Sequence, residues 1–475
     1  MDHIIKELSA TIEFIKDFQQ NVMLKKLPFT DKEATLSIKD RKIELSFKLN
    51  PRDEIDNYYR ITSLDSFTIN KNGIHYKVYN HSGIIKDNFD YQPQIRRSCH
   101  IDISHMMDER WNKKDDYYYR FILPIEDVFG VSDINTYCYQ IDKTQNKGLI
   151  EIAFNEGVIH LYHILIDNKK YIVIESGWKL TYDSMQRIVY VVALSLGLVT
   201  SIIPFDYAYI IASTSKDFSK DSLCGFLQMR PTIKGQFKHF TTNMYSLQDC
   251  LKRNGSEYAL PQLYEGKEFL SHLQDWVQQD EFGCIVKMLY NNEDLARATL
   301  ILIESSTVSL DYQGALCAVA LETICSALEG PQDKSYMNNA EWKKQVLPAF
   351  DDLINNFETN NIVSKEHAGN MRKKLNSLNM RTNKDKLLCP FAQRNYKISK
   401  YEKEVIDNRN RFLHGHILGH CYKSSFQEIM YSCIELQKLC AILLFRESGF
   451  KGLVINNAVL LGLKQAIEHK EPILV

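Results

Sequence analysis

The sequence has few of the features that mark the common classes of enzyme. It contains no GxxxxGK[ST], GxGxxG, HExxH or GxSxG motif, which disfavours P-loop ATPases, dinucleotide-binding dehydrogenases, zinc proteases and hydrolases of those types. Only 20 glycines and 11 prolines occur in 475 residues, which argues against long disordered or collagen-like segments. The composition, 44% hydrophobic and 25% charged, is that of a globular protein with room for two or three domains.

The 11 cysteines form no CxxC pair and are odd in number. Several lie in apolar stretches, among them Cys317, Cys325, Cys433 and Cys440. This pattern predicts buried, reduced thiols in a cytoplasmic protein rather than a disulfide framework. The first residues, MDHIIKELSATIEF, lack a basic region followed by an apolar run, so no signal peptide is expected.

Long uncharged runs are also scarce. Residues 188–205 carry no charged side chain and are the one candidate for a membrane-spanning helix. The stretch is at the short limit for a spanning helix. It contains Ser195, Gly197 and Pro204, and no basic cluster flanks it. We therefore expect a buried helix that leads into a buried strand, and no membrane partner.

The hydrophobic pattern changes near residue 240. Before this point it alternates as in strands, for example over residues 34–49, and Asn72-Gly73 separates two strand-like runs as in a hairpin. Further turns are predicted at Asn155-Glu156-Gly157 and at Asp167-Asn168-Lys169. Two helices are expected within this β-rich half, over about 2–22 and 181–198.

After Met244 the pattern becomes helical. The sequence thus predicts an α+β protein, with a β-rich N-terminal domain (1–240) followed by an all-α domain (241–475) whose central bundle spans about 290–450. Ser399 and Glu402 have the spacing of a capping box at a helix start. The helices are expected over approximately 262–278, 293–308, 311–329, 340–358, 364–378, 399–414, 423–446 and 455–468.

The segment 404–416 carries the most informative side chains. On a helix, Tyr401, Val405 and Phe412 form an apolar stripe, and Arg409 falls within it. An arginine on a packing face is costly unless a partner pairs with it. His414 would lie about 140° from Arg409 on an ideal helix. The two converge only if the helix ends there, as Gly415 suggests, or if a second protomer contributes.

A second unusual charge lies upstream, at Glu322. It is the only charge in residues 314–328, which are apolar nearly all round and are expected to be buried. A buried carboxylate requires a cation, and Arg409 and Arg411 are the candidates. We therefore predict an ion pair between Glu322 and one of these arginines.

The charge around this segment is strongly positive. Residues 365–423 contain 14 Lys or Arg and 5 Asp or Glu, a surplus of nine positive charges in a chain whose net charge is -1. A local surplus of this kind suits a polyanion such as RNA. The candidate RNA-binding residues are Arg411, Lys400, Lys403 and His416.

Arg409-Asn410-x-x-x-His414 resembles the R-x4-6-H signature of the HEPN superfamily. Glu322 resembles the acidic residue that many of these domains carry on an earlier helix, and the whole chain is similar to the ApeA-like anti-phage group. The resemblance implies a metal-independent, cofactor-free endoribonuclease that acts as a homodimer through the HEPN domain. Its catalytic residues would be Arg409, Asn410, His414 and Glu322. Arg411 and His416 form a second, overlapping register of the same motif.

The resemblance also implies a biological setting. RNA, with tRNA as one candidate, would be the substrate, and the role would be abortive infection or that of a toxin. The N-terminal half would sense an unknown phage-derived trigger or restrain the nuclease.

Three other interpretations remain open. The helical half could be a non-catalytic HEPN dimerisation or nucleotide-binding module of a sensor. Arg409 could serve only as a structural partner of Glu322. Finally, His414, His416, His420 and Cys421 could bind zinc in an interaction protein, although their spacing matches no familiar zinc site.

Overall fold

In the computed structural model, the protein folds into two compact units. One comprises Met1–Lys234 and Asp275–Tyr290, and the other Gly235–Gln274 and Asn291–Val475. The domain boundary expected near residue 240 lies close to the point where the first unit gives way to the second, between Lys234 and Gly235. The segment Asp275–Tyr290, however, belongs to the N-terminal unit. The structure describes residues 3–5, 8–24, 27, 33–39, 42–49, 65–88, 96–125, 134, 136–141, 144–218, 222–239, 244–254, 258–264, 277–330, 335–413 and 423–475.

The N-terminal unit is built on a sheet in which 14 described strands pair, and all its pairs are antiparallel except β1 with β9. The strand order is β1-β9-β10-β11-β12-β8-β14-β15-β7-β4-β3-β2, and β6 and β5 extend from β7. The strands are β1 (His3–Ile5), β2 (Val22–Leu24), β3 (Ala34–Lys39), β4 (Lys42–Leu49), β5 (Ser66–Lys71), β6 (Ile74–Asn88), β7 (Arg96–Asp108), β8 (Tyr118–Ile125), β9 (Tyr137–Ile141), β10 (Thr144–Ala153), β11 (Val158–Ile166), β12 (Lys169–Ser176), β13 (Ile202–Ile203), β14 (Tyr207–Ser213), β15 (Leu223–Gln228) and β16 (Ile233–Lys234), of which β13 and β16 form a separate pair.

The predicted hairpins are confirmed. Lys71 pairs with Ile74 across a two-residue turn, in which Asn72 and Gly73 both have positive φ. A turn of this kind matches the twist of the flanking strands and favours Asn-Gly. Alternate residues of β4, namely Ile43, Leu45 and Phe47, are buried, as the alternating pattern requires of a strand with one face on the core.

The helices of this unit are α1 (Leu8–Phe18) and α2 (Tyr182–Thr200), together with α5 (Gln279–Asn291). The helix predicted over 2–22 is shorter than expected, because residues 3–5 and 22–24 pair as strands. Helix α2 begins at the Thr181 cap, is mostly buried and leads into β13, which confirms the prediction for residues 188–205. Among the described helices, none has the length and hydrophobicity needed to cross a membrane.

The C-terminal unit is helical within its described residues. Its helices are α3 (Met244–Asn254), α4 (Ala259–Tyr264), α6 (Glu293–Ser305), α7 (Leu310–Ala327), α8 (Asn339–Glu341), α9 (Leu347–Thr359), α10 (Lys365–Leu378), α11 (Asn383–Gln393), α12 (Lys400–Asn408), α13 (Asn410–Leu413), α14 (Lys423–Glu447), α15 (Asn457–Leu460) and α16 (Lys464–Glu468). A π-helical turn, Trp342–Val346, joins α8 to α9. The α+β class is therefore confirmed, whereas the helix predicted over 262–278 lies mostly outside the described residues.

Helix α7 is central to this unit, because α6, α11, α13 and α14 all pack against it. Buried polar contacts join three of these helices at Ser305. Its hydroxyl accepts a hydrogen bond from Gln437 Nε2 on α14 at 2.9 Å and lies 3.2 Å from Cys317 Sγ on α7. Ten cysteines are unpaired in the described residues, and the four predicted to be buried thiols are buried.

Candidate functional site

Arg409 lies at the junction of α12 and α13, not within one continuous helix. The single helix predicted over 399–414 is therefore wrong in this respect. The backbone N–H of Arg409 donates to the Ile406 carbonyl at 3.4 Å, and its side-chain Nη1 donates to the same oxygen at 3.0 Å. The side chain thus binds the backbone beside its own helix end. As predicted, this side chain points into a packed region and is only 7% exposed.

The predicted ion pair between Glu322 and Arg409 is present. Arg409 Nε donates to Glu322 Oε1 at 3.0 Å. The expectation that Glu322 would be buried is wrong, however, since its side chain is 42% exposed. Helix α7 is apolar nearly all round, yet Tyr312 and Val319 are exposed on it. One side of α7 is therefore not covered within the described part of the chain, and Glu322 lies close to that side.

A cavity of about 210 Å³ opens beside this ion pair. Helix α7 and the residues after it contribute Glu322, Cys325, Ser326 and Glu329 to its lining, while α11 contributes Asn383, Lys386 and Leu387. Lys386 Nζ lies 3.9 Å from Glu329 Oε1, which is too long for a hydrogen bond. That carboxylate oxygen is buried without a hydrogen-bond partner in the described structure.

The lining provides two cations and two carboxylates. Arg409 has Nε and Nη1 engaged, and no hydrogen bond to its Nη2 occurs within the described residues. A guanidinium oriented in this way can donate to a phosphate oxygen, and Lys386 can add a second positive charge. Because Glu322 and Glu329 each lie beside one of these cations, an incoming phosphate would compete with them for the cations.

Cys325 lines the same cavity but is unsuited to act as a nucleophile. Burial raises the pKa of its thiol to about 12, and the nearby Arg394 and Arg409 only partly oppose this. The reactive thiolate form is therefore scarce near neutral pH.

Close packing between α7 and α13 holds the chain next to Arg409. The Phe412 ring lies so near Gly314 that a Cβ at this glycine would be 2.4 Å from the ring. Only glycine permits this approach without a shift of the ring. The contact fixes α13 on the same helix that carries Glu322, and so it helps to set the distance between Arg409 and Glu322.

Helix α12 is anchored at both ends. At its start, Ser399 and Glu402 form the predicted capping box, which is thereby confirmed. Near its end, Asp407 Oδ2 lies 2.5 Å from Lys384 Nζ on α11. Helix α12, which ends at Arg409, is therefore joined directly to α11, which lines the cavity.

A buried charge network lies beneath α12, centred on Lys438 of α14. The Lys438 ammonium is 2.6 Å from Glu435, 3.1 Å from Glu402 and 3.7 Å from Glu471. Burial would lower the pKa of Lys438, but the three carboxylates raise it above its usual value. Burial also favours a raised pKa for Glu402, yet Lys438, the Ser399 N–H and Tyr396 hold that pKa below its usual value. This network attaches α12 to the centre of the unit.

Glu435 differs from the other two carboxylates of the network. Although it lies close to Lys438, neither of its oxygens has a partner with hydrogen-bond geometry among the described residues. Burial, only partly opposed by Lys438, raises its pKa to about 8. Burial thus favours the protonated form of Glu435 more than that of an ordinary glutamate.

The raised pKa of Glu435 predicts a loss of stability at alkaline pH. The folded protein retains a proton that the unfolded chain releases near pH 4.5. The stabilisation is therefore fully present below pH 4.5 and is lost as pH rises through about 8. Glu435→Gln, which resembles the protonated acid, should match wild type at pH 5 and exceed it by roughly 2–4 kcal/mol at pH 8.5.

Unfolding followed by circular dichroism at the two pH values measures this difference. Glu468→Gln is the matched control, because the Glu468 side chain is exposed and its recorded ion pair, among the described residues, is with Lys464. Equal pH slopes for wild type and Glu435→Gln would contradict the prediction.

The other predicted site residues are not all near Arg409. Arg411 lines a second cavity. Lys400, Lys403 and Asn410 have exposed side chains and line neither cavity. His414 and His416 lie outside the described residues, as do His420 and Cys421 of the possible zinc site. Within the described part of the chain, no group of His, Cys, Asp and Glu could hold a metal ion.

Sequence reasoning missed Asn383 and Lys386, because it did not predict α11. Pro390 lies inside this helix, and an internal proline normally argues against a helix. The detectable signal was at the N-terminus, where the Thr382 side chain accepts a hydrogen bond from the Asp385 N–H. A threonine followed by an acidic residue three positions later is a helix-start pattern.

Comparison of the chain with models of known families, with curated proteins and with solved structures finds no match. The function of the chain is therefore inferred from the residues and geometry of the site.

Proposed function

We propose that the C-terminal helical unit is a metal-independent endoribonuclease of the HEPN type. The observation that carries the proposal is Arg409, a buried arginine oriented by Glu322 beside a cavity that also receives Lys386. Two unrelated peculiarities of the sequence predicted this pair. The positive surplus of residues 365–423 provides a suitable surrounding for RNA.

In the proposed reaction, the RNA 2′-oxygen attacks the adjacent phosphorus and the bond to the 5′-oxygen breaks. A base accepts the 2′-OH proton, and an acid returns a proton to the departing 5′-oxygen. The products are a 2′,3′-cyclic phosphate and a 5′-OH. Arg409 would hold the phosphate and stabilise its developing charge. His414, five residues further along the chain, would act as acid or base near neutral pH. Asn410 would orient the histidine or the phosphate.

The proposed oligomeric state and biological role follow from the resemblance of Arg409-Asn410-x-x-x-His414 to the HEPN signature. The active form would be a homodimer through the helical unit, with the motifs of two protomers in one cleft. The β-rich unit would sense a phage-derived trigger or restrain the nuclease, since an unrestrained ribonuclease poisons its host. The chain would then serve in abortive infection or as a toxin.

Cleavage of total RNA and of tRNA in the presence of EDTA tests the activity. We expect wild type to produce 2′,3′-cyclic phosphate ends and His414→Ala to be at least about 100-fold slower, as for loss of a general acid or base. Activity that survives His414→Ala would assign catalysis to other residues, and the first to examine are Arg411 and His416. A wild-type protein that binds RNA or a nucleotide without cleaving it, even after phage infection, would favour the non-catalytic interpretation.

A further inference from the structure

The second cavity, of about 290 Å³, lies among α12, α13, α14 and α16 of the helical unit. Four of its lining residues carry aromatic rings: Tyr401, Phe412, Tyr431 and His469. The Tyr401 and His469 rings stack with centroids 3.4 Å apart and nearly parallel planes. The Tyr431 ring lies almost perpendicular to His469 at 5.7 Å. The cavity therefore has a wall of three mutually packed rings, from Tyr401, His469 and Tyr431.

The polar lining includes two carboxylates and one unpaired amide oxygen, beside Asn408 and Ser432, whose side chains can both donate and accept. Two carboxylates, Glu404 and Glu428, are exposed, and Glu404 is only loosely paired, 4.0 Å from Lys400. Gln465 provides a buried amide oxygen that has no hydrogen-bond partner in the described structure. Arg411 is the single Lys or Arg among the lining residues. The two carboxylates and the Gln465 oxygen can therefore accept hydrogen bonds from a ligand that carries donors.

The charge behind the aromatic wall is also negative. Tyr431 donates a hydrogen bond to Glu471, and His469 Nδ1 lies 3.5 Å from the same carboxylate. Glu471 belongs to the network in which Lys438 faces three glutamates. The field of this network therefore attracts a cation into the cavity and opposes a phosphate.

We propose that this cavity binds a free aliphatic amine in its protonated, cationic form. Aromatic faces attract an ammonium group, most strongly where water is excluded. The carboxylates and the free oxygen of Gln465 would accept its N–H donors, and the rings would contact its carbon chain. The cavity is at the small end of ligand sites, which suits a short amine rather than a nucleotide. The assignment of this ligand does not rest on the proposed ribonuclease activity.

Calorimetric titration of the full chain with putrescine, in about 0.15 M salt to screen surface charge, tests the proposal. We expect one saturable site per chain and none for 1,4-butanediol, a neutral molecule of similar length. Glu428→Gln and Gln465→Met should each weaken binding about tenfold. Glu468→Gln, on the same short helix as Gln465 but outside the lining, should leave binding unchanged.

The effect of Arg411→Ala distinguishes a cation from an anion. Removal of the one cationic lining side chain should tighten putrescine binding. The proposal is overturned if putrescine shows no saturable binding, or if Glu468→Gln weakens it as much as Glu428→Gln. It is also overturned if AMP or pyrophosphate binds instead and Arg411→Ala abolishes that binding.

Discussion

Arg409→Ala should slow RNA cleavage by about 10²–10³-fold, the usual loss when a donor to the transition-state charge is removed. Glu322→Ala should slow it less than about tenfold. Both substitutions break the same 3.0 Å ion pair, but only the first removes the group that would contact the phosphate. Arg409 also keeps its bond to the Ile406 carbonyl without Glu322, so its position is partly retained. Single-turnover cleavage of tRNA in EDTA measures both effects.

This comparison separates a catalytic arginine from a structural one. If the ion pair serves only the fold, cleavage by each variant should fall only as far as its folded fraction falls, and the double variant should be no worse than Arg409→Ala. Arg372→Ala is the matched control, because Arg372 lies in the same basic window but pairs with Glu358 and Asp351 of α9. Its loss should change cleavage by less than threefold, within the small effect of a surface pair.

The parts of the fold that were predictable from sequence have local causes. Asn72-Gly73 identifies a hairpin because few residues adopt two successive positive φ angles. The Ser399 and Glu402 pair identifies a helix start because both side chains bind backbone N–H groups there. The strand at residues 3–5, in contrast, depends on pairing with β9 more than 130 residues away, and no local pattern encodes such a partner.

The site was predictable only in part, for a similar reason. A charge on an apolar helix face is visible in the sequence, and two such charges suggested the pair of Arg409 and Glu322. The interruption of the helix at Arg409 could not be predicted from the sequence, because the residues on either side of it favour one continuous helix. It coincides with the contact of Phe412 with Gly314 and with the side-chain bond of Arg409 to Ile406. These are tertiary and side-chain interactions that helical periodicity does not report.

The network around Lys438 escaped sequence reasoning altogether. Glu435 and Lys438 are three residues apart on α14, a spacing that usually indicates a solvated ion pair on a helix surface. In the structure both are buried, and Glu402 and Glu471 come from distant parts of the chain. A pair that appears ordinary in the sequence thus holds the centre of the helical unit together.

Lys438→Met should consequently lower the free energy of unfolding by about 3–5 kcal/mol, as when one partner is removed from a buried ion pair. The methionine fills a similar volume but leaves Glu402, Glu435 and Glu471 without their shared cation. At pH 7 the ionised members would repel one another in a region from which water is largely excluded. Denaturant unfolding followed by helical circular dichroism measures the loss.

Two further variants decide whether charge or packing causes this loss. Lys464→Met changes an exposed lysine, 71% accessible and paired with Glu468 on the same helix, and should cost less than about 0.5 kcal/mol. Adding Glu402→Gln to Lys438→Met should recover part of the stability, because one unpaired carboxylate becomes neutral. The recovery is partial because glutamine has one oxygen to accept from both the Ser399 N–H and the Tyr396 hydroxyl. If Lys438→Met alone costs less than about 1 kcal/mol at pH 7, the three carboxylates do not depend on this lysine. The Lys438 side chain would then stabilise the unit by its packing and not by its charge.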